Sequence, residues 1–179
     1  MTGSPDPGDA SDGPGLRDLA DPPEDVTVER ATPDDRLDVL RILDAAMLET
    51  DAATVDDRTA AGDVLVARFE RTGAVVGALV ATRPDPDRLH VDAVAVRRAR
   101  RGRGIASALV AAAVRRAERD AEPSAVTAAF DPDLAGLYAD LGFELDRGDG
   151  SHRTDRVRGR RRVGTTGEGG DRGSGERRR

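Results

Sequence analysis

The sequence predicts an α+β fold, a mixed sheet of about six to seven mostly antiparallel strands flanked by helices. Three apolar strand patterns follow one another at residues 63–70, 74–82 and 88–96, with Arg71, Thr72 and Gly73 as a hairpin turn between the first two. The short connection 84–87 makes the third strand antiparallel to the second. A helical pattern then leads to a strand at 124–130, which is a strand–helix–strand crossover. Hairpins followed by a crossover indicate α+β rather than a doubly wound fold.

The first elements are a short strand and an amphipathic helix. Residues 25–31 alternate between apolar and polar and predict the strand. Thr32 as N-cap and Pro33 in the first turn predict that a helix covers 32–48. Its apolar side chains recur at helical spacing, as Leu37, Leu40, Leu43 and Met47. Residues 49–63 are acidic and weakly helical.

Helix and strand alternate after the third strand. An arginine-rich loop at 97–103 precedes an alanine-rich helix at 104–120, and the strand 124–130 follows. Residues 131–143 predict a short helix that ends at Gly142, and 143–146 predict a strand. The best candidate for one more strand, 152–159, is poorly patterned, so an irregular end of the sheet or its completion by a second copy of the chain, as a homodimer, stays open.

Composition divides the chain into one domain and two tails. Residues 1–23 and 148–179 are rich in glycine and polar residues with little to bury, and both are expected to be disordered. The core-forming part is 24–147, an ordinary size for one domain. Residues 1–150 contain 18 arginines and 30 acidic residues, net charge −12, whereas 151–179 contain 10 arginines and 4 acidic residues, net charge +6. The body is therefore acidic and the C-terminal tail basic.

Several absences exclude chemistries. The chain has no lysine and no cysteine, which excludes a Walker lysine, a thiol nucleophile and a cysteine-ligated zinc. Its two histidines, His90 and His152, are far apart, so no metal site is expected. No apolar run approaches the ~20 residues that span a bilayer, and we expect a cytoplasmic protein without membrane contact. Aspartates outnumber glutamates 25 to 9, which together with the absence of lysine suits a halophilic source.

The segment 97–106, which comprises the loop and the start of the next helix, has three interpretations. A run of charges is commonly only a solvated loop. Nucleic-acid binding is disfavoured because the body is acidic and no aromatic side chains accompany the arginines. The third interpretation is a pyrophosphate cradle, because Gly102 and Gly104 lie where a strand ends and a helix begins. Glycine allows close backbone approach, and the first turn of a helix presents unpaired N–H groups. A dinucleotide fingerprint would need a third glycine where Ser107 stands.

Two short motifs carry a family resemblance. The residues Arg101-Gly102-Arg103-Gly104-Ile105-Ala106 follow a strand and open a helix, and the stretch 137–143 reads Leu-Tyr-Ala-Asp-Leu-Gly-Phe. The first is similar to the loop Q/R-x-x-G-x-G/A, and the second to the block L-Y-x-x-x-G-F, of the GNAT superfamily of N-acetyltransferases, which use acetyl-CoA. The resemblance covers about residues 26–146 and implies the GNAT fold.

The resemblance also implies site residues. The backbone N–H groups of 102–107 would receive the CoA pyrophosphate, and the strand edge at 94–96 would pair with the pantetheine arm. The cofactor-binding residues so implied are Val94, Ala95, Val96, Arg101, Gly102, Arg103, Gly104, Ile105, Ala106 and Ser107. Tyr138, the only tyrosine, would be the general acid that protonates the departing thiolate. From the residues alone, Tyr138 is equally well explained as a packing aromatic.

The general base stays open among four residues. His90 and Asp92 are two apart on one strand and are expected to share a face. Glu49 and Asp51 follow the first helix, where the resemblance implies acceptor contacts. Each of the four is also explained as an ordinary surface or strand-end polar residue.

Three classes of function follow. The leading one is acetyl transfer from acetyl-CoA to a primary amine of a small molecule or a protein. A second is a non-catalytic acyl-CoA-binding regulator on the same fold. A third is binding of nucleic acid or a partner through the basic tail 148–179, although such a tail also fits an extension that contacts nothing.

Overall fold

The computed structural model describes residues 21–48, 50–120, 122–146 and 156–163, which contain seven strands. The strands are β1 (Val26–Arg30), β2 (Val64–Phe69), β3 (Ala74–Asp85), β4 (Arg88–Val96), β5 (Ala125–Phe130), β6 (Glu144–Asp146) and β7 (Val157–Arg162). They form one sheet in the order β1-β2-β3-β4-β5-β7-β6, in which only β4 and β5 are parallel. The predicted fold class and the mostly antiparallel sheet are confirmed.

Helices cover both faces of the sheet, and each face has its own apolar core. The four α-helices of the described residues are α1 (Arg36–Asp44), α2 (Ala52–Ala60), α3 (Ile105–Arg119) and α4 (Ala135–Asp140). Residues of α1 and α2 pack with one face of β2, β3 and β4. Residues of α3 and α4 pack with the other face and with the second half of the sheet. Short 3₁₀ turns precede α1 and α4, at Pro33–Asp35 and Pro132–Leu134.

The N-terminal end of α3 lies close to the centre of the sheet because β3 has a glycine there. A Cβ on Gly77 would lie 3.2 Å from side-chain atoms of both Ile105 and Leu109. A larger residue would push the helix away, since closely packed interiors have no free space. Gly77 thus fixes the distance between the start of α3 and the adjacent strands.

The first helix is shorter than predicted, and its buried face differs. It ends at Asp44, and its buried residues are Val39, Ile42 and Leu43. Of the predicted apolar positions, Leu37 is exposed and Met47 is 91% exposed. Met47 has φ 56°, a left-handed conformation that is uncommon for a residue other than glycine. This conformation cannot continue a helix, and it is why the prediction of a helix to residue 48 was wrong.

The predicted C-terminal tail contains a strand. Residues 157–162 form β7, which lies between β5 and β6 and pairs antiparallel with both. The predicted disordered tail included all six residues, and the poorly patterned candidate strand 152–159 included the first three. Backbone pairing on two sides compensates for a poor apolar pattern, because each ladder bond satisfies a donor and an acceptor. The remaining residues of both predicted tails, apart from 21–23, 156 and 163, lie outside the described residues.

Strand β3 also extends beyond its prediction. The four residues 84–87, Pro-Asp-Pro-Asp, predicted that the strand ends before them, yet β3 continues to Asp85. Pro84 lies in an irregular stretch, between the pairs Thr82↔His90 and Asp85↔Arg88. Proline is tolerated at such irregularities because no regular ladder bond needs its missing N–H group.

Candidate active site

Strands β4 and β5 separate halfway along the sheet. Their pairing ends at Val91↔Ala128, although β4 continues to Val96. Beyond Val91, strand β4 is paired with β3 only. Its other edge at residues 94–96 therefore presents backbone N–H and C=O groups that no described strand uses. Such an edge can bind an extended ligand as though it were an added strand.

A bulge in β4 lies where the two strands separate. Ala81 of β3 is opposite Val91, but the preceding residue, Val80, is opposite Ala93, so Asp92 is an extra residue without a partner position in β3. A bulge bends its strand and re-aims the side chains around it. The alternation on which the shared face of His90 and Asp92 was predicted is interrupted here.

The glycines of the arginine-rich loop both have left-handed backbones. Gly102 has φ 74° and Gly104 has φ 79°, and Gly104 is the N-cap of α3. A Cβ at either position would meet no atom within 4 Å. The glycines are therefore required by their φ angles and not by crowding from the protein. The space above them is free for a ligand.

The first turn of α3 carries unpaired donors. No side chain caps the helix, and its first intrahelical bond runs from the N–H of Ala108 to the C=O of Gly104. Among the described residues, no backbone group accepts a bond from the N–H groups of 102–107. Together with the positive end of the helix dipole, these donors make a site suited to a phosphate.

One cavity of about 530 Å³ joins the loop, the free edge of β4 and helix α4. Nine of the ten residues predicted to bind the cofactor line it, and so does Tyr138. The tenth, Arg103, is exposed outside the lining. Lining residues that the sequence did not indicate come from the segment after α1, the loop, α3, the 3₁₀ turn before α4 and α4 itself, and they are Ala46, Arg100, Val110, Leu134 and Leu137. Leu137 belongs to the Leu-Tyr-x-x-x-Gly-Phe block, which was a usable signal.

Tyr138 is a packing aromatic that also lines the cavity. It is only 4% exposed and belongs to the core, yet it lines the cavity. Its hydroxyl forms no hydrogen bond with a described residue and is not among the fully buried polar atoms that lack a partner, so the oxygen keeps some exposure. Burial raises the pKa of Tyr138 to about 12, against a smaller opposite effect of Arg156. The phenol therefore carries its proton at neutral pH, and the same shift makes it a weaker acid than an exposed tyrosine.

Three arginines of the loop are held by the protein. The Arg97 Nε donates to the Val75 carbonyl at 2.7 Å, and the Arg101 Nε donates to the Val96 carbonyl at 3.1 Å. The Arg100 guanidinium lies 4.0 Å from the centre of the Phe69 ring. These contacts fasten the loop to the sheet, so the charge run is in large part structural.

The structure separates the four candidates for the general base. Glu49 lies outside the described residues. Asp51 is the N-cap of α2 and accepts bonds from the Thr54 N–H at 2.9 Å and the Thr54 hydroxyl at 2.7 Å. These bonds lower the pKa of Asp51 and make it a weaker base.

His90 and Asp92 line different depressions. The His90 Nδ1 is 2.9 Å from the Thr127 hydroxyl, and His90 lies in a broad depression over β4, β5, β7 and β6. Burial lowers the pKa of His90, so the imidazole is neutral at pH 7. Asp92 is exposed and lines a smaller depression of about 440 Å³ next to the end of α1.

That smaller depression also contains residues that the sequence analysis missed. Besides Asp92 and Ala93, its lining comprises Met47, Leu48, Thr50 and Arg156. Arg156 precedes β7, and nothing in its local sequence indicated a position near β4. Only the insertion of β7 beside β5 brings it there.

Comparison with known proteins supports the family that the sequence motifs resemble. The model of the acetyltransferase (GNAT) family matches residues 28–143. No curated protein matches this chain in sequence. Over the described residues, no helix is long and apolar enough to cross a membrane, and no cluster of three potential metal-ligating side chains is present.

Solved structures share the fold. Ard1 from Thermoplasma volcanium is 21% identical, with a TM-score of 0.64 over 78% of this chain and 98% of its own. The GNAT family N-acetyltransferase YhbS from Escherichia coli, solved in complex with CoA, is 23% identical, with a TM-score of 0.60 over 80% of this chain and 84% of its own. N-acetylglutamate synthase from Neisseria gonorrhoeae, complexed with coenzyme A and N-acetyl-glutamate, is 16% identical, with a TM-score of 0.61 over 78% of this chain and 35% of its own.

Proposed function

This chain belongs to the acetyltransferase (GNAT) family, and from that premise we propose that it transfers an acetyl group from acetyl-CoA to a primary amine. The observation that carries the proposal is the single cavity that joins the glycine loop, the free edge of β4 and Tyr138. An anion site, a strand edge and a proton donor meet there, and these are the three groups that binding and cleavage of an acyl thioester require.

Acetyl-CoA would lie between the two separated strands. The pyrophosphate would accept hydrogen bonds from the N–H groups of 102–107 at the start of α3, and Arg101 and Arg103 would add positive charge beside it. The amide groups of the pantetheine arm would pair with the backbone of 94–96. The thioester would then lie near the bulge of β4 and within reach of Tyr138.

The reaction would be direct transfer. The neutral amine nitrogen attacks the thioester carbon, a C–N bond forms and the C–S bond breaks. The surplus proton of the amine passes to water, and the leaving thiolate takes the proton of Tyr138, which recovers one from solvent. The products are an N-acetylated amine and CoA with a free thiol. Most of the acceleration would come from holding amine and thioester together and from backbone N–H groups facing the carbonyl oxygen.

The domain that performs this transfer would run from about residue 24 to Val163. The family match ends at residue 143, but β7 completes the sheet around Tyr138, since Val157 pairs with Phe130 and Phe130 stacks on Tyr138. We include β7 in the domain for that reason.

The absence of cysteine makes the decisive experiment simple. A thiol reagent detects only CoA in a reaction with this protein, because the chain itself has no thiol. Acetyl-CoA should be offered with a panel of small primary amines and amine-bearing peptides, at low and at molar KCl. Amine-dependent release of CoA supports the proposal. Tight CoA binding by calorimetry without release for any amine would instead favour a non-catalytic acyl-CoA-binding regulator.

A further inference from the structure

Two side chains of opposite charge line one depression but form no ion pair with each other. Asp92 and Arg156 both line the depression of about 440 Å³, and both are exposed. Neither forms an ion pair or a hydrogen bond with a described residue, although the described residues include many ion pairs between arginine and aspartate, such as Arg36–Asp56 and Arg88–Asp85. An arginine and a carboxylate that share a depression but stay unpaired are available to a ligand that carries both charges.

The depression adjoins the proposed thioester site. Ala46 lines the larger cavity and the next residue, Met47, lines the depression. On β4 the boundary falls between Ala93, which lines the depression, and Val94, which lines the cavity. A small molecule held in the depression would therefore present its near end to the thioester.

Met47, which lines the depression, has an uncommon backbone conformation. It has φ 56°, it is 91% exposed, and its side chain contributes little to the core. Sparsely populated backbone conformations at residues other than glycine cluster at ligand sites. Met47 lines the depression, so an apolar residue with this conformation lies at its rim.

We propose that the depression binds an acceptor that carries both an amine and a carboxylate, an α-amino acid or a similar small zwitterion. Asp92 would hold the ammonium group before it loses a proton to water, and Arg156 would hold the carboxylate. Met47 and Leu48 would contact the aliphatic part. This assignment rests on the proposed acetyl transfer and specifies its acceptor.

Other amines fit the charges less well. A polyamine would satisfy Asp92 but would be repelled by Arg156. A lysine side chain of a protein would leave Arg156 without a counterion. A dicarboxylate without an amine would satisfy Arg156 but offers no nucleophile. A molecule with both groups matches both charges, Asp92 and Arg156.

The test compares amino acids with amines that lack only the carboxylate. Suitable pairs are leucine with 3-methylbutylamine, methionine with 3-(methylthio)propylamine, and arginine with agmatine. We measure kcat/KM by CoA release for each pair. For the amino acid with the highest kcat/KM, we expect a value about tenfold or more above that of the matching amine, the effect of one charge-assisted hydrogen bond. Arg156→Ala should abolish that preference, and Arg156→Lys should restore part of it.

A matched control is Arg158→Ala. Arg158 lies two residues after Arg156, in β7, but it lines the broad depression that contains His90. This variant should retain the preference for the amino acid. Asp92→Asn should lower kcat/KM for the amino acid and leave the dissociation constant of CoA unchanged.

Binding without chemistry separates the two proposals. The amino acids and amines should also be titrated calorimetrically into the protein saturated with CoA. Amino acid binding that requires Arg156, without turnover, would support the depression as a zwitterion-binding site and count against acetyl transfer. Turnover of the amines at rates equal to those of the amino acids, or a preference that survives Arg156→Ala, would overturn the acceptor assignment and leave acetyl transfer intact. Absence of any amino acid binding would also overturn it.

Discussion

The rings of Phe130 and Tyr138 are stacked, with centroids 3.8 Å apart and planes 5° from parallel. Phe143 meets the ring of Tyr138 edge-on, at 5.2 Å and 87°. These contacts fix the plane of the Tyr138 ring from two sides, so the hydroxyl has one direction. As the proposed proton donor, Tyr138 would need little rearrangement during the reaction.

Tyr138→Phe should keep the packing and remove the proton. Both rings stack alike, and the hydroxyl has no described hydrogen-bond partner to lose. We expect turnover of an accepted amine to fall by roughly a hundredfold or more, the usual effect of losing acid–base assistance. The CoA dissociation constant and the melting temperature should stay nearly constant. Full turnover by this variant would show that water protonates the thiolate.

Gly104→Ala should weaken CoA binding through the backbone of the loop. An alanine at φ 79° is strained by about 1–2 kcal/mol, and relieving the strain would turn the N–H groups at the start of α3 away from the cavity. Calorimetry with CoA measures the effect. Gly73→Ala is the matched control, because Gly73 has φ 68°, equally open surroundings and a place in the β2–β3 hairpin. Equal CoA affinities of the two variants would contradict the pyrophosphate assignment.

Gly159→Ala should destabilise the protein and disturb Tyr138 indirectly. A Cβ at Gly159 would lie 2.9 Å from the Phe130 ring and 3.2 Å from the Phe143 ring. Overpacking of this kind costs about 1–3 kcal/mol, and it would shift the ring on which Tyr138 stacks. The free energy of unfolding, measured with denaturant, and the turnover rate should both fall.

The control for this prediction is Gly136→Ala in helix α4. A Cβ at Gly136 meets nothing within 4 Å, and the position is helical, so the change should be neutral or slightly stabilising. If Gly159→Ala were as stable as Gly136→Ala, β7 would not be packed against the aromatic cluster.

His90 should make stability depend on pH in a defined window. Burial lowers its pKa in the folded protein, with Arg88 and Arg156 acting in the same direction and Asp92 opposing. The unfolded chain therefore binds the proton at higher pH, and stability is lost as the pH falls from about 6.5 toward the lower folded pKa. Unfolding free energies of wild type and His90→Gln across this window measure it. Parallel curves would show that His90 does not titrate differently on folding.

Stability should rise with salt. The net charge of −12 over residues 1–150 opposes compaction at low ionic strength, and salt screens exposed charges most. Buried pairs are screened less, and Asp63, whose side chain is 1% exposed, pairs with Arg116 at 3.1 Å and Arg83 at 3.3 Å. The melting temperature should therefore increase with KCl.

The matched variant for the salt prediction removes three exposed carboxylates that form no ion pair with a described residue, by Asp34→Asn, Asp57→Asn and Asp140→Asn. It should show a shallower increase. A melting temperature that is flat or falls with KCl in the wild type would contradict the halophilic interpretation.

The elements that the sequence predicted well are those with regular apolar patterns. Strands β2 to β5 and helix α3 were found because buried valine, leucine and alanine recur with the period of each element. The glycine loop and Tyr138 were found from two short motifs, and the structure brings both to one cavity.

The elements that escaped prediction lack such a pattern. The inward positions of β7 are Val157, Gly159 and Arg161, of which only one is a typical core residue. Gly159 is small to admit the rings beside it, and the Arg161 side chain donates to the Leu141 carbonyl. Neither requirement is visible before the strand order is known. The same holds for the bulge at Asp92 and for the position of Arg156.

The place of β7 has a consequence for how the chain is assembled in time. This strand is the last of the described strands in sequence, yet it fills a slot between two that precede it, and β6 has no other described ladder partner. While the protein is being synthesised, β6 and the open edge of β5 must wait until residue 162 has left the ribosome. Unpaired edges of this kind invite contact with other chains. A premature stop codon before residue 157 would therefore yield a sheet with unpaired strand edges. Such a product would be prone to aggregate and would be bound by chaperones or degraded by proteases.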